Sequence, residues 1–129
     1  MKDSQNPLID QFYMVITKYC NRKSPLSMID IMLYLQQLFT VEEINGESVF
    51  GDGAQNKIYW SGISSELSRG LVRIWTEKKM GFYECNPSIY ISHPEILEQF
   101  LSNKQNWIPL LLEPFKEENS VQYLNQKLK

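Results

Sequence analysis

The segment from Leu26 to Phe39 constrains the fold more than any other part of the chain. Leu26, Met28, Ile29, Ile31, Met32, Leu33, Leu35, Leu38 and Phe39 would place apolar side chains almost all the way round a helix. Only Asp30, Gln36 and Gln37 remain as a narrow polar edge. A helix of this kind is covered on several sides in a folded domain. Ser24-Pro25 supplies its start signal, a capping residue followed by proline at the first helical position. The pattern predicts a central helix with the rest of the chain wrapped around it. It does not predict a membrane span, because the longest uncharged apolar stretch, Ile31 to Val41, is eleven residues and contains two glutamines, against the roughly 20 a bilayer requires.

The rest of the 129-residue sequence can supply that wrapping. It is 43% apolar and 22% charged, with a net charge of -2, which fits a folded domain and excludes a disordered or strongly basic chain. Asn6-Pro7 opens a first helix, in which Leu8, Ile9, Phe12, Ile16, Tyr19 and Cys20 recur at helical spacing before Asn21-Arg22-Lys23 ends it. Val41 to Asn56 reads as a loop or mobile hairpin around a short strand, Ser48 to Phe50. Ile58 to Ser68 reads as a short helix stopped by Gly70.

Leu71 to Glu77, Gly81 to Cys85 and Ser88 to Ser92 then read as three antiparallel strands. His93-Pro94 starts another helix, Asn103 to Asn106 is a break, and Trp107 to Phe115 is broken by Pro109 and Pro114. A last helix carries Val121, Leu124 and Leu128, a stripe that would either pack or dock in a partner's groove. The expected fold class is α+β: a single, mainly helical domain over residues 1–129 with a small three-stranded antiparallel sheet, a winged-helix-like arrangement being the alternative.

Catalytic patterns are missing from the sequence. There is one histidine, His93, directly before Pro94, so no paired-histidine metal site can be written. Its place at the start of a helix suits a capping or surface residue. The two cysteines, Cys20 and Cys85, form no CxxC motif and read as buried free thiols of a reducing compartment. Gly62 to Glu66 is not a nucleophile elbow, and Gly51-Asp52-Gly53 is neither a phosphate loop nor a calcium loop. The carboxylate pairs Glu42/Glu43 and Glu77/Glu84 read as solvated surface. No catalytic residue, metal or cofactor is expected. The start of the chain, with Asp3 and Asp10 around a short apolar run, lacks a signal-peptide pattern, so the expected location is cytoplasmic.

Binding remains. Alternation along the predicted strands puts Arg73, Trp75, Phe82 and Tyr90 on one outward sheet face, flanked by Glu77 and Glu84. Tryptophan, tyrosine and arginine dominate protein–protein contact sites. The expectation is a non-enzymatic interaction module, a small acidic subunit, adaptor or inhibitor-like protein that binds another protein or a second copy of itself through that face. The bland alternative is that Trp107 to Phe115 folds over the face as a lid.

A second expectation rests on a resemblance. Leu67-Ser68-Arg69-Gly70-Leu71-Val72 ahead of a hairpin, followed by Ile89 to Glu95 leading into a helix, resembles the end of a winged-helix DNA-binding domain over residues 57–100. The resemblance implies a transcriptional regulator whose recognition helix is Ile58 to Ser68. Lys57, Tyr59, Ser61, Ser64, Ser65 and Arg69 would then face DNA, with Lys78 and Lys79 at the wing tip.

Overall fold

Helix α1 spans Pro7–Lys23 and follows its sequence signals throughout. The Asn6 side chain accepts hydrogen bonds from the backbone of Leu8 and Ile9 at 3.0 and 3.4 Å, Pro7 takes the first turn, and Arg22 and Lys23 occupy the last. Ile9, Phe12, Ile16 and Cys20 form its buried stripe. The computed structural model describes residues 6–102 and 108–115. The proposed break at Asn103 to Asn106 and the last helix beyond Ser120 lie outside them.

The apolar helix begins later than its Ser-Pro signal. Leu26–Ser27 is a short strand, β1, and helix α2 is Met28–Leu35. Its start is set by a reciprocal capping box. The Asp30 backbone N–H donates to Ser27 Oγ at 3.2 Å, and the Ser27 N–H donates to Asp30 Oδ2 at 3.0 Å. A second box, Thr40 with Glu43, opens the single turn α3, Val41–Ile44.

The segment expected to be a loop and then a helix is instead a bulged hairpin, β2 (Asn45–Asp52) against β3 (Lys57–Ile63), closed through Asn56 in the left-handed region. Ile58, Tyr59 and Trp60 favour a pleated strand. The strands approach so closely that a side chain at Gly51 would run into the Lys57 carbonyl oxygen, which is why glycine stands there. The helix follows one turn later as α4, Ser65–Thr76. Ser64 caps it, accepting from the Leu67 N–H at 3.1 Å and donating to the Glu43 carbonyl at 2.7 Å.

Leu71 to Thr76, read as a strand, is thus the second half of α4. Leu67, Gly70, Leu71, Ile74 and Trp75 are buried at spacings of three, one, three and one, a helical period that outweighs the apparent alternation. Gly70 sits mid-helix, not at a cap, where an added Cβ would lie 3.1 Å from Phe12 Cβ. It lets α4 lie close on α1.

The three-stranded antiparallel sheet exists, and of the expected strands only Gly81 to Cys85 belongs to it. Strand β4 (Gly81–Glu84) pairs with β5 (Leu110–Glu113), and β5 pairs with β1, giving the order β1-β5-β4. The stretch held between Pro109 and Pro114 is the central strand, not a lid. Ser88 to Ser92 is no strand; a 3-10 turn spans Pro87–Tyr90 before α5, Pro94–Ser102.

The core joins these parts through rings. Phe50 on β2 lies 5.8 Å from Tyr59, 5.6 Å from Trp75 and 5.8 Å from Phe82, centroid to centroid. Trp75 and Phe82 stack at 5.3 Å. Ile16, Met28, Ile31, Leu35, Leu71, Ile74, Leu110 and Leu112 pack into the same cluster. Trp75→Ala is expected to cost about 3–5 kcal/mol, the usual range for emptying a buried aromatic site, measured as a lowered denaturant midpoint with the unfolding slope unchanged.

Candidate functional site

The outward aromatic face read from the sequence does not form. Trp75 is 4% exposed, and Phe82 and Tyr90 are 0% exposed. Trp75 belongs to a helix, Phe82 to β4 and Tyr90 to a 3-10 turn, so no common sheet face carries them. Tyr90 packs in a smaller cluster with Ile29, its ring 6.2 Å from Trp60.

Arg73 is half-buried and serves the fold. It pairs with Asp10 of α1 at 2.8 Å and with Glu77 at 3.2 Å, and its guanidinium lies 4.0 Å over the Tyr13 ring. The Tyr13 hydroxyl donates to Glu77 Oε1 at 2.5 Å. That hydrogen bond, followed by those of Arg73, holds the Glu77 carboxyl below its usual value against the opposing effect of burial. Burial, then the hydrogen bond and charge of Glu77, pushes the Tyr13 hydroxyl up to about 12. The four side chains fasten α1 to the end of α4.

The residues proposed to face DNA do not share one surface. Lys57 is ion-paired with Glu84 at 2.8 Å, and Tyr59, fully buried, donates to the same carboxylate oxygen at 2.9 Å. Burial first, then the Glu84 bond and charge and the nearby Asp52, raises the Tyr59 hydroxyl. Ser64 is buried as the α4 cap. Arg69 and Lys79 are exposed, and Lys78, with φ 57°, holds its ammonium 5.4 Å from the Phe115 ring. Of the stretch Ile58 to Ser68 expected as a recognition helix, the first half is strand β3.

The reactive groups are quiet. Burial pushes the Cys20 thiol up to about 12, and burial with the Glu84 charge pushes Cys85 up to about 11; both are free and neither is an activated nucleophile. The His93 carbonyl accepts from the backbone N–H groups of Ile96 and Leu97 at 3.0 Å each, opening α5. Asp52 is fully buried and caps the turn after β2 through Oδ1, at 3.1 and 3.3 Å from the N–H groups of Ala54 and Gln55. No group of three metal-ligating side chains occurs among the described residues. No helix among them is long and apolar enough to cross a membrane.

Two concavities lie beside α2 and the residues that follow it, and neither was anticipated. One, of about 410 Å³, is lined by Gln36, Phe39, Val41, Ile44 and Asn45. The other, of about 550 Å³, lies between α1 and α2 and is lined by Val15, Lys18, Asn21, Arg22 and Tyr34. Leu38 and Val41 beside the first are 52% and 66% exposed, and Leu33 and Met14, next in sequence to liners of the second, are 48% and 54% exposed. The signal was present in α1, where Val15, Lys18 and Arg22 recur at helical spacing off the buried stripe. On the chain as a whole, no family model matches, and neither does any curated protein or solved structure.

The Tyr13–Glu77 contact makes a pH prediction. Because the Glu77 pKa is lowered on folding from 4.5, its stabilisation is complete above that value and is lost as pH falls through the folded value. The raised Tyr13 pKa gives the reverse: stabilisation complete below pH 10, lost as pH climbs towards about 12. Tyr13→Phe is expected to flatten the acid limb of a melting-temperature profile and to cost about 1 kcal/mol or less at neutral pH, since the contact is largely exposed.

Proposed function

We propose that this chain is a non-catalytic interaction module that binds a protein partner through the surface around the C-terminal end of α2. The observation that carries the reading is that three apolar side chains close in sequence at this end, Leu33, Leu38 and Val41, are exposed. They stand out from Ile31, Met32, Leu35 and Ile44 of the same stretch, which are in the core, and Val41 lines a concavity. Single exposed leucines are ordinary, whereas a group of them beside grooves is the mark of a contact surface. The quiet thiols support a role in binding. The aromatic face around Trp75 has no part in it.

The winged-helix reading keeps one specific support. The order helix α1, strand β1, helix α2, helix α4, then strands β4 and β5, with β5 lying between β1 and β4, resembles a winged-helix connectivity with α3 and the β2–β3 hairpin inserted ahead of its third helix and a 3-10 turn and α5 inserted between β4 and β5. This is analogy at the level of fold. Arg73 on α4 is committed to Asp10 and Glu77, and Lys57 to Glu84, so the basic footprint that phosphate neutralisation demands is thin.

Affinity purification with nuclease treatment separates the two. The interaction reading expects a stoichiometric protein partner or a self-associated dimer, lost in a Leu38→Glu/Val41→Glu variant. That variant should keep its stability within about 0.5 kcal/mol, as exposed positions do. Retention of the same partner by the variant would refute this surface. The regulator reading expects retardation of duplex DNA that weakens steeply with salt and is reduced by Arg69→Ala.

A further inference from the structure

The groove between α1 and α2 differs from the rest of the surface in its charge. Its described lining contains two cations, Lys18 and Arg22, with Asn21, and no carboxylate. Two other cations are tied up, Lys57 by Glu84 and Arg73 by Asp10 and Glu77. Among the described residues, neither Lys18 nor Arg22 carries an ion pair. The net charge of the chain is -2, so two uncompensated cations on one groove stand against the overall balance. Arg22 also suits the C-terminal end of α1; Lys18, a turn earlier, has no such use.

Between the cations the walls are apolar and rigid. Val15 comes from α1, and Tyr34 from α2, where its ring is stacked on Tyr19 at 3.7 Å and 6°. The stacking holds one face of Tyr34 and fixes the ring as a wall. Aliphatic stems of lysine and arginine extend such a surface while their charged ends stay in water.

Resting on the interaction reading above, we propose that this groove takes an acidic peptide segment of the partner, with one apolar side chain seated between Val15 and Tyr34 and flanking carboxylates held by Lys18 and Arg22. Complementarity of this kind sets both selectivity and association rate. Single-stranded nucleic acid is the poorer fit. Two cations neutralise too little phosphate.

The test is fluorescence anisotropy with a short labelled polyglutamate peptide bearing one central leucine. The full chain is expected to bind it saturably, more weakly as salt rises, and not to bind the same peptide with lysines in place of glutamates. Lys18→Glu/Arg22→Glu should lower affinity by about tenfold or more, with Lys18→Gln giving a smaller loss in a helix whose circular dichroism is unchanged. Tyr34→Ala should also weaken binding. Equal affinity of the double charge variant and the wild type, or tighter binding of a single-stranded oligonucleotide than of the peptide, would overturn the proposal. If the peptide fails while partner capture remains sensitive to Leu38→Glu/Val41→Glu, the acidic occupant is wrong and the docking surface stands; if capture is insensitive as well, both fall.

Discussion

The ring of Phe50 touches Tyr59 on its own hairpin, Trp75 on α4 and Phe82 on β4, and this three-way contact ties the two sheets to the helices. Each ring presents edge and face at centroid distances where aromatic pairs add to simple area burial. A polar link runs beside it, since Glu84 on β4 receives both the Lys57 ammonium and the Tyr59 hydroxyl from β3. The hairpin is thereby fixed on the body of the protein, and with it α3, whose Glu43 carbonyl accepts from the cap of α4. The orientation of α2, beside which both grooves lie, follows from the same packing because Ile31 and Leu35 belong to the same core.

What was legible in the sequence follows from how local its cause is. Helix α1 declares itself through Asn6-Pro7, a stripe at helical spacing and a basic last turn, all within one segment. The α+β class and the small three-stranded sheet were also legible. Helix α4 was not, because Val72-Arg73-Ile74 mimics alternation and β-branched and aromatic residues favour strands. Its helical period shows only when Leu67 and Gly70 are counted with it. Strand β5 was hidden for a different reason. Two prolines bracket four residues, which is fatal to a helix but harmless to a short strand whose ends need not continue the ladder. The candidate site was illegible where it depends on partners far along the chain. Asp10 and Arg73 are 63 residues apart, and nothing local tells that this arginine serves the fold and not a partner.

The same long-range pairing decides which charges remain for recognition. A cation that already has a carboxylate at 2.8 Å offers little to a ligand, since binding must first undo or share that pair. Pairing therefore occupies Lys57, one of the cations read as facing DNA, and Arg73. Lys18 and Arg22 on α1 are among the cations it leaves without a carboxylate. Which charges remain for recognition thus depends on where folding pairs them as well as on composition.

The exposed apolar residues at the α2 end have a competing explanation in geometry alone. A helix apolar nearly all round leaves some side chains outside if too few elements are available to cover it, and Met28, Ile29, Ile31, Met32 and Leu35 already fill the core side. That account explains Leu33, which lies on the helix itself. It does not extend to Leu38 and Val41, which follow the helix in a turn and a capped single-turn helix where polar residues would satisfy the backbone equally well. Nor does it explain why the adjoining groove carries cations without counter-ions. Incomplete coverage generates exposed leucine; it generates no charge asymmetry, which is why the two features together motivate the proposed contact surface.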